Sequence, residues 1–328
     1  MPVFGVPASS FAGGGVVLSP RVRVDGTTSQ GLPRLAFAGR QIETAFVLGG
    51  GGNRGAVQVG MLRALVERHV VPDLIVGTSI GAVNAAAFAG APTLEGVELT
   101  ADIWRRIAAD DIFPRSRFHG SWRFLERRES VFSMDGLRRV VSSSVRFDLL
   151  EQSAVPLVLV ATRLEDAVEE WLVDGLTVDA VMASAALPGF YPAVELGGSH
   201  YVDGGVIDNV ALSAALAAGA RRIFLLLCGK VDAPAPQFSR PYEALFAAFT
   251  TALQARIRRD LAMVERDVDV VVFEQPGAAM FDPRDFSRTE ELLAAGYRTA
   301  RDVLDAYLDP GGTTETARRR RRLRRQAS

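Results

Sequence analysis

Lysine is almost absent from this chain. Lys230 is the only one among 37 basic residues, the rest being arginine. With abundant alanine, that bias points to a GC-rich bacterial genome and says nothing of mechanism. Cysteine occurs once, so an internal disulfide is excluded. Cys228 ends the apolar run Arg222-Ile223-Phe224-Leu225-Leu226-Leu227-Cys228 and reads as a buried structural thiol, the usual place of a free cysteine. One cysteine and three histidines also leave few ligands for a structural zinc site. No uninterrupted apolar stretch reaches the ~18 residues that suggest a membrane-spanning helix. The first 20 residues lack lysine and arginine, and so lack the charged start of a signal peptide. These absences make a soluble, cytoplasmic protein the expectation, with peripheral membrane contact open.

What is present suits a large core: 328 residues, 48% hydrophobic and 23% charged. Two glycine-framed turns stand one behind the other. The first reads Gly49-Gly50-Gly51-Gly52-Asn53-Arg54-Gly55 and the second Gly77-Thr78-Ser79-Ile80-Gly81. Each follows a short apolar run and precedes a helix-like segment. The first combines backbone N–H groups at a helix N-terminus with one arginine, which is the make-up of an anion site. The second matches the nucleophile elbow G-x-S-x-G, in which a serine is exposed on a sharp strand-to-helix turn. A nucleophile and an anion-stabilising loop lack only a base. His69 caps a helix-like stretch, His119 lies among arginines and aromatics, and His200 stands in Gly198-Ser199-His200-Tyr201-Val202-Asp203-Gly204-Gly205. Asp203 is the better candidate, because the glycines after it let the backbone approach a pocket closely.

These three elements, in this order, resemble the patatin-like phospholipase family. Its pattern is a G-G-G-x-R-G oxyanion loop, a G-x-S-x-G nucleophile and a D-G-[GA] aspartate, here residues 50–55, 77–81 and 203–205. The resemblance spans roughly residues 42–308 and takes in Ala183-Ser184-Ala185-Ala186-Leu187-Pro188-Gly189-Phe190-Tyr191-Pro192. One departure is that Val210-Ala211 follows Asp208-Asn209, where relatives often have proline. The resemblance implies a patatin-like three-layer α/β fold, related to the α/β hydrolases, with a mainly parallel central sheet flanked by helices. It implies a Ser79–Asp203 dyad, an oxyanion hole from Gly50, Gly51, Gly52 and Arg54, and framing roles for Gly55, Gly77, Gly81, Gly204 and Gly205. Arg54 could contact the oxyanion or hold the loop by bonding carbonyls, and the second role is favoured. The expected substrate is a lipid ester, with no cofactor and no metal.

Two other functions fit parts of the pattern. Residues 50–55 also match the dinucleotide fingerprint G-x-G-x-x-G. That reading wants an acid at the end of the second strand, whereas Asp73 precedes the strand. A lipid-binding relative without catalysis would keep all three motifs.

The organisation follows apolar runs and turn signals. Residues 1–41 are rich in Gly, Ser, Pro and Thr and read as an extension ordered in part. Residues 42–308 form one domain, and 309–328 an arginine-rich tail. Strands are expected at 45–48, 74–76, 156–162, 168–173, 223–228 and 268–273. Helices are expected at 55–69, 80–89, 177–182, 242–264 and 287–308. Thr177 can cap the third, and Ser287 with Glu290 can form a capping box on the last. Alternating strands and helices predict an α/β sheet whose site lies beyond the strands' carboxyl ends. In the long helix, Leu245, Phe249, Leu253, Ile257 and Leu261 recur every fourth residue and read as core packing. Residues 113–132 interleave five arginines with aromatics, which suits a membrane–water interface as well as an ordinary helical surface. The tail's seven arginines leave −8 on the rest of a chain of net charge −1. It reads as solvated, or as a contact for an anionic membrane. Specific nucleic-acid recognition has no other support.

Overall fold

The computed structural model of the chain describes residues 16–19, 22–29, 31–113, 130, 132–232, 241–275 and 284–309. The basic tail from residue 310, His119 and residues 114–129 of the aromatic and arginine segment lie outside the described residues. The described part of the leading extension contains an antiparallel meander of β1 (Val16–Ser19), β2 (Val22–Thr27) and β3 (Pro33–Phe37). Its Leu32, Leu35 and Phe37 are buried, so it closes part of the core.

A strand covered on both faces is apolar at every position. Save for Thr44 and Thr78 at their ends, that holds for β4 (Thr44–Leu48) and β5 (Leu74–Thr78), which are buried along their whole length. Between them runs α1 (Ala56–Glu67), and after β5 come α2 (Ile80–Ala89), α3 (Leu94–Arg106), α4 (Ala109–Ile112) and α5 (Asp135–Ser144). Then follow β6 (Leu157–Arg163), β7 (Val168–Leu172), α6 (Thr177–Ser184), β8 (Val194–Leu196) and β9 (Ser199–Asp203). The chain continues through α7 (Leu212–Ala217), β10 (Arg222–Leu226), α8 (Pro241–Ala262), β11 (Asp269–Phe273) and α9 (Thr289–Leu308).

The eight-stranded sheet has the order β11-β10-β4-β5-β6-β9-β8, with β7 also on β6. The pairs from β11 to β6 are parallel, and β7, β8 and β9 pair antiparallel. One apolar cluster joins the sheet to α1, α2, α3, α5 and α9. A second, on the other face, joins it to the meander and α7. This is the expected three-layer α/β architecture.

Register at one edge of β6 positions the site. Residues 159–163 of β6 pair with β7 along one edge. On the other edge, residues 157–160 pair with β5, and 161–163 pair with β9. β5 and β9 therefore run toward each other along the same neighbour. Thr78 lies opposite Val160, and Asp203 opposite Ala161. Their carboxyl ends meet, and Gly204 fits into the join because a Cβ there would fall 2.2 Å from the Val160 carbonyl oxygen.

Two caps differ from expectation. Thr177 is the first residue of α6 behind Leu176, and its side chain caps nothing. Helix α9 starts behind Arg288, so Ser287 is one residue too early to cap it. The Ser287 hydroxyl donates to Asp285, and Glu290 accepts from Arg105. Folded partners outcompeted the local capping pattern at Ser287, whereas the buried Thr177 hydroxyl has no partner among the described residues.

Candidate active site

Ser79 sits at the end of β5 with φ 57° and ψ −123°. An L-residue held at positive φ costs about 1–3 kcal/mol, so neighbours must hold it. The Ser184 hydroxyl accepts the Ser79 N–H at 2.9 Å and donates to the Val160 carbonyl at 2.6 Å. Gly81 lets α2 start against β4, since a Cβ there would lie 2.0 Å from the Leu48 carbonyl oxygen. Gly77, at the other side of the turn, packs on Ala82 in the same way.

Ser79 Oγ donates to Asp203 Oδ2 at 2.5 Å. The other carboxylate oxygen accepts the Gly205 N–H at 2.8 Å, which fixes its orientation. Asp203 is 3% exposed. Burial pushes its pKa up to about 6, with the hydrogen bonds from Ser79 and Gly205 pulling the other way. His200 is not part of this arrangement: it is exposed, on β9, with Nδ1 2.9 Å from Glu165. His69 is exposed at the end of α1.

The glycine loop crosses beside Ser79. Gly50 was expected to offer its N–H, but that group donates to the Asn209 carbonyl at 3.1 Å. Among the described residues, the N–H groups of Gly51 and Gly52 donate to nothing. Gly51 is pressed against Cys228, where a Cβ would fall 2.2 Å from the cysteine Cβ. The thiol is held protonated by burial, its pKa pushed up to about 12. Arg54 Nε makes one long bond to the Gly51 carbonyl, 3.5 Å. That contact fits the loop-holding role. Gly55 lies under Ile80 and Trp104.

Behind the loop lies a buried polar chain that sequence reasoning missed. Trp104 Nε1 donates to Asn84 Oδ1 at 2.8 Å. Asn84 Nδ2 donates to Gln58 Oε1 and the Gly55 carbonyl. Gln58 Nε2 donates to the carbonyls of Gly49 and Leu226. Buried and satisfied polar groups fix a single geometry, and here the geometry is that of the loop. The available signal was polar Gln58 and Asn84 inside apolar helices. Ser184 was quoted only as part of a motif.

Ser79, Asp203 and the loop border a cavity of about 450 Å³. Its walls are mostly apolar. Trp104, Leu137, Phe113, Phe190 and Tyr191 form one side, and Phe249, Leu253 and Ile257 of α8 another. Phe249, Leu253 and Ile257 of the stripe thus line the cavity, while Ile257 and Leu261 pack in the core. Arg256 anchors α8, pairing with buried Asp208 at 3.1 Å and with Asp260 at 2.5 Å. No described helix is long and apolar enough to cross a membrane. Asp73 accepts from the N–H groups of Glu43 and Thr44, at the far end of the sheet from the loop, and so supplies no acid for a dinucleotide.

Ser184→Ala removes the only described acceptor for the Ser79 N–H. Turnover of a soluble ester should fall about tenfold in kcat with KM little changed, the size of one lost buried hydrogen bond. Ser184→Thr should recover much of the loss. Steady-state kinetics with a thermal melt for each variant checks this.

A family model described as Patatin-like phospholipase matches residues 46–216. Patatin-like phospholipase domain-containing protein 7 of Mus musculus is 26% identical over 298 residues, 81% of this chain and 21% of that protein. Lysophospholipase NTE1 of Pyricularia oryzae is 25% identical over 309 residues, 85% of this chain and 20% of that protein. The chain spans about a fifth of the length of these curated relatives. Among solved structures, VipD from Legionella pneumophila aligns with a TM-score of 0.41 at 13% identity, over 87% of this chain and 70% of that one.

Proposed function

The chain belongs to the patatin-like phospholipase family, and on that footing we propose that it is a serine acyl hydrolase cleaving fatty-acyl esters of phospholipids or related lipids. The observation that carries the reading is the 2.5 Å hydrogen bond from Ser79 to Asp203, at the wall of a mostly apolar cavity. Ser79 Oγ attacks the ester carbonyl carbon as its proton passes to Asp203. The carbonyl oxygen becomes an oxyanion and meets the N–H groups of Gly51 and Gly52. When the tetrahedral centre collapses, the carbon–oxygen bond to the alcohol breaks and Asp203 returns the proton to the departing oxygen. Water then gives a proton to Asp203 and adds to the acyl carbon; on collapse the bond to Oγ breaks and Asp203 returns the proton to it, releasing the fatty acid and restoring Ser79. A carboxylate with a pKa near 6 is a stronger base than one near 4, which suits this role.

A panel of lipid esters, with released fatty acid measured for wild type and Ser79→Ala, tests the proposal. Hydrolysis by wild type alone supports it. Equal release by both rejects it, and lipid binding without release would make the protein a catalytically silent relative.

The Asp203 pKa also fixes pH dependence. Below about pH 6 the base is protonated, so kcat/KM should fall tenfold per pH unit and level off above. The native state holds this proton more tightly than the unfolded chain, so between about pH 4 and 6 the contribution of Asp203 to stability declines as pH rises. An isosteric Asp203→Asn lacks that decline. It should gain on the order of 2 kcal/mol relative to wild type between pH 4 and pH 8. Urea unfolding of both proteins across that range measures it.

A further inference from the structure

Among the described residues, three charged ones line the cavity: Asp203, Arg54 and the chain's one lysine, Lys230. Asp203 is occupied by Ser79 and Gly205. Among the described residues, neither cation lies within ion-pair distance of a carboxylate. Near Lys230, Glu274 accepts the Val231 N–H and Asp232 pairs with Arg258. Arg54 and Lys230 share one side of the cavity. A Cβ on Gly229 would lie 3.6 Å from Arg54 Nη1, and Lys230 is the next residue. Gln254 of α8 donates to the Lys230 carbonyl at 3.2 Å and holds this segment at the cavity wall.

We propose that the cavity selects lipid esters with a net anionic headgroup, held by Arg54 and Lys230. The inference rests on the acyl-hydrolase reading above and adds the headgroup class. The cavity lining supports it. Arg54 and Lys230 share the cavity wall with Ser79 and with the rings of Phe190 and Tyr191. A lipid lying across the strand ends would place its charge on the cations, its ester at Ser79 and its chain among the aromatics. Arg54 is half-buried and Lys230 exposed where they line the cavity, and neither gains from a headgroup whose own cation cancels its phosphate.

The test uses the full chain and three palmitoyl esters: lysophosphatidylglycerol (anionic), lysophosphatidylcholine (zwitterionic) and monopalmitoylglycerol (neutral). Each is kept below its micelle concentration, so that surface charge plays no part, and released fatty acid is measured. Wild type should favour the anionic ester in kcat/KM by about tenfold or more over either of the others, the size of a charge-assisted hydrogen bond. Lys230→Gln should collapse the anionic-to-zwitterionic ratio toward one, mostly through KM, and Lys230→Arg should keep it. Arg221→Gln, at the opposite end of the sheet, is the control for general charge and should leave the ratio unchanged. Equal wild-type rates on the three esters, or a ratio unmoved by Lys230→Gln, overturns the headgroup assignment and leaves acyl hydrolysis standing. No hydrolysis of any of them rejects acyl hydrolysis itself, and the headgroup assignment with it.

Discussion

Ser79→Ala and Asp203→Asn should each lower kcat on a soluble short-chain ester by on the order of 10⁴-fold, while His200→Ala keeps most of it. The reason is that in the proposed mechanism nucleophile and base act as one unit. Without the hydroxyl there is nothing to acylate. With asparagine at 203 the proton of Ser79 has no acceptor, although Gly205 can still donate to the amide oxygen. The double variant should therefore be about as inactive as either single one, since groups that act together are not additive. Ala at 79 inherits the same positive φ, so the fold should survive, and circular dichroism with a thermal melt confirms that. His200 is exposed and bonded to Glu165, away from the cavity. An inactive His200→Ala beside an active Asp203→Asn would replace the Ser–Asp pair by a Ser–His one.

Gly51→Ala should cost about 10²–10³-fold in kcat, the range for a lost oxyanion donor. A methyl group at 51 would overlap the Cβ of Cys228 at 2.2 Å and its Sγ at 2.7 Å. The neighbour is a fully buried residue on a chain segment that continues β10, so the loop is the part that gives way. Its N–H groups then point elsewhere. Cys228→Ala cannot relieve the overlap because it keeps Cβ. Cys228→Gly removes both atoms, and the Gly51→Ala/Cys228→Gly pair should recover a large part of the activity. Kinetics of the two single variants and the pair decide it. Failure of the pair to recover would mean that the loop's backbone, and not this contact, sets its geometry.

Much of the architecture was legible because its signals are local. Apolar runs such as Ala45-Phe46-Val47-Leu48 announce strands buried on both faces. Glycine at 77 and 81 announces a turn too tight for a side chain. The capping patterns at Thr177 and Ser287 were equally local and did not hold: Thr177 became the first residue of α6 behind Leu176, and Asp285 and Arg105 offered Ser287 and Glu290 other partners. Gly50 was read as an N–H donor, but Asn209, 159 residues away in sequence, takes that N–H.

By itself, the sequence determined strands β4, β5, β6, β7, β10 and β11, the two glycine turns and the candidates Ser79 and Asp203. Those follow from side-chain size, period and backbone freedom over a few residues. Tertiary structure alone decided that the two side chains meet across 124 residues of chain. β6 has two edges; β7 fills one along residues 159–163, which leaves the other to β5 and β9 in turn. Running in opposite directions on that edge, they bring their carboxyl ends together. Which strand takes which edge depends on the pairing of all of them at once, and no short stretch of sequence encodes it.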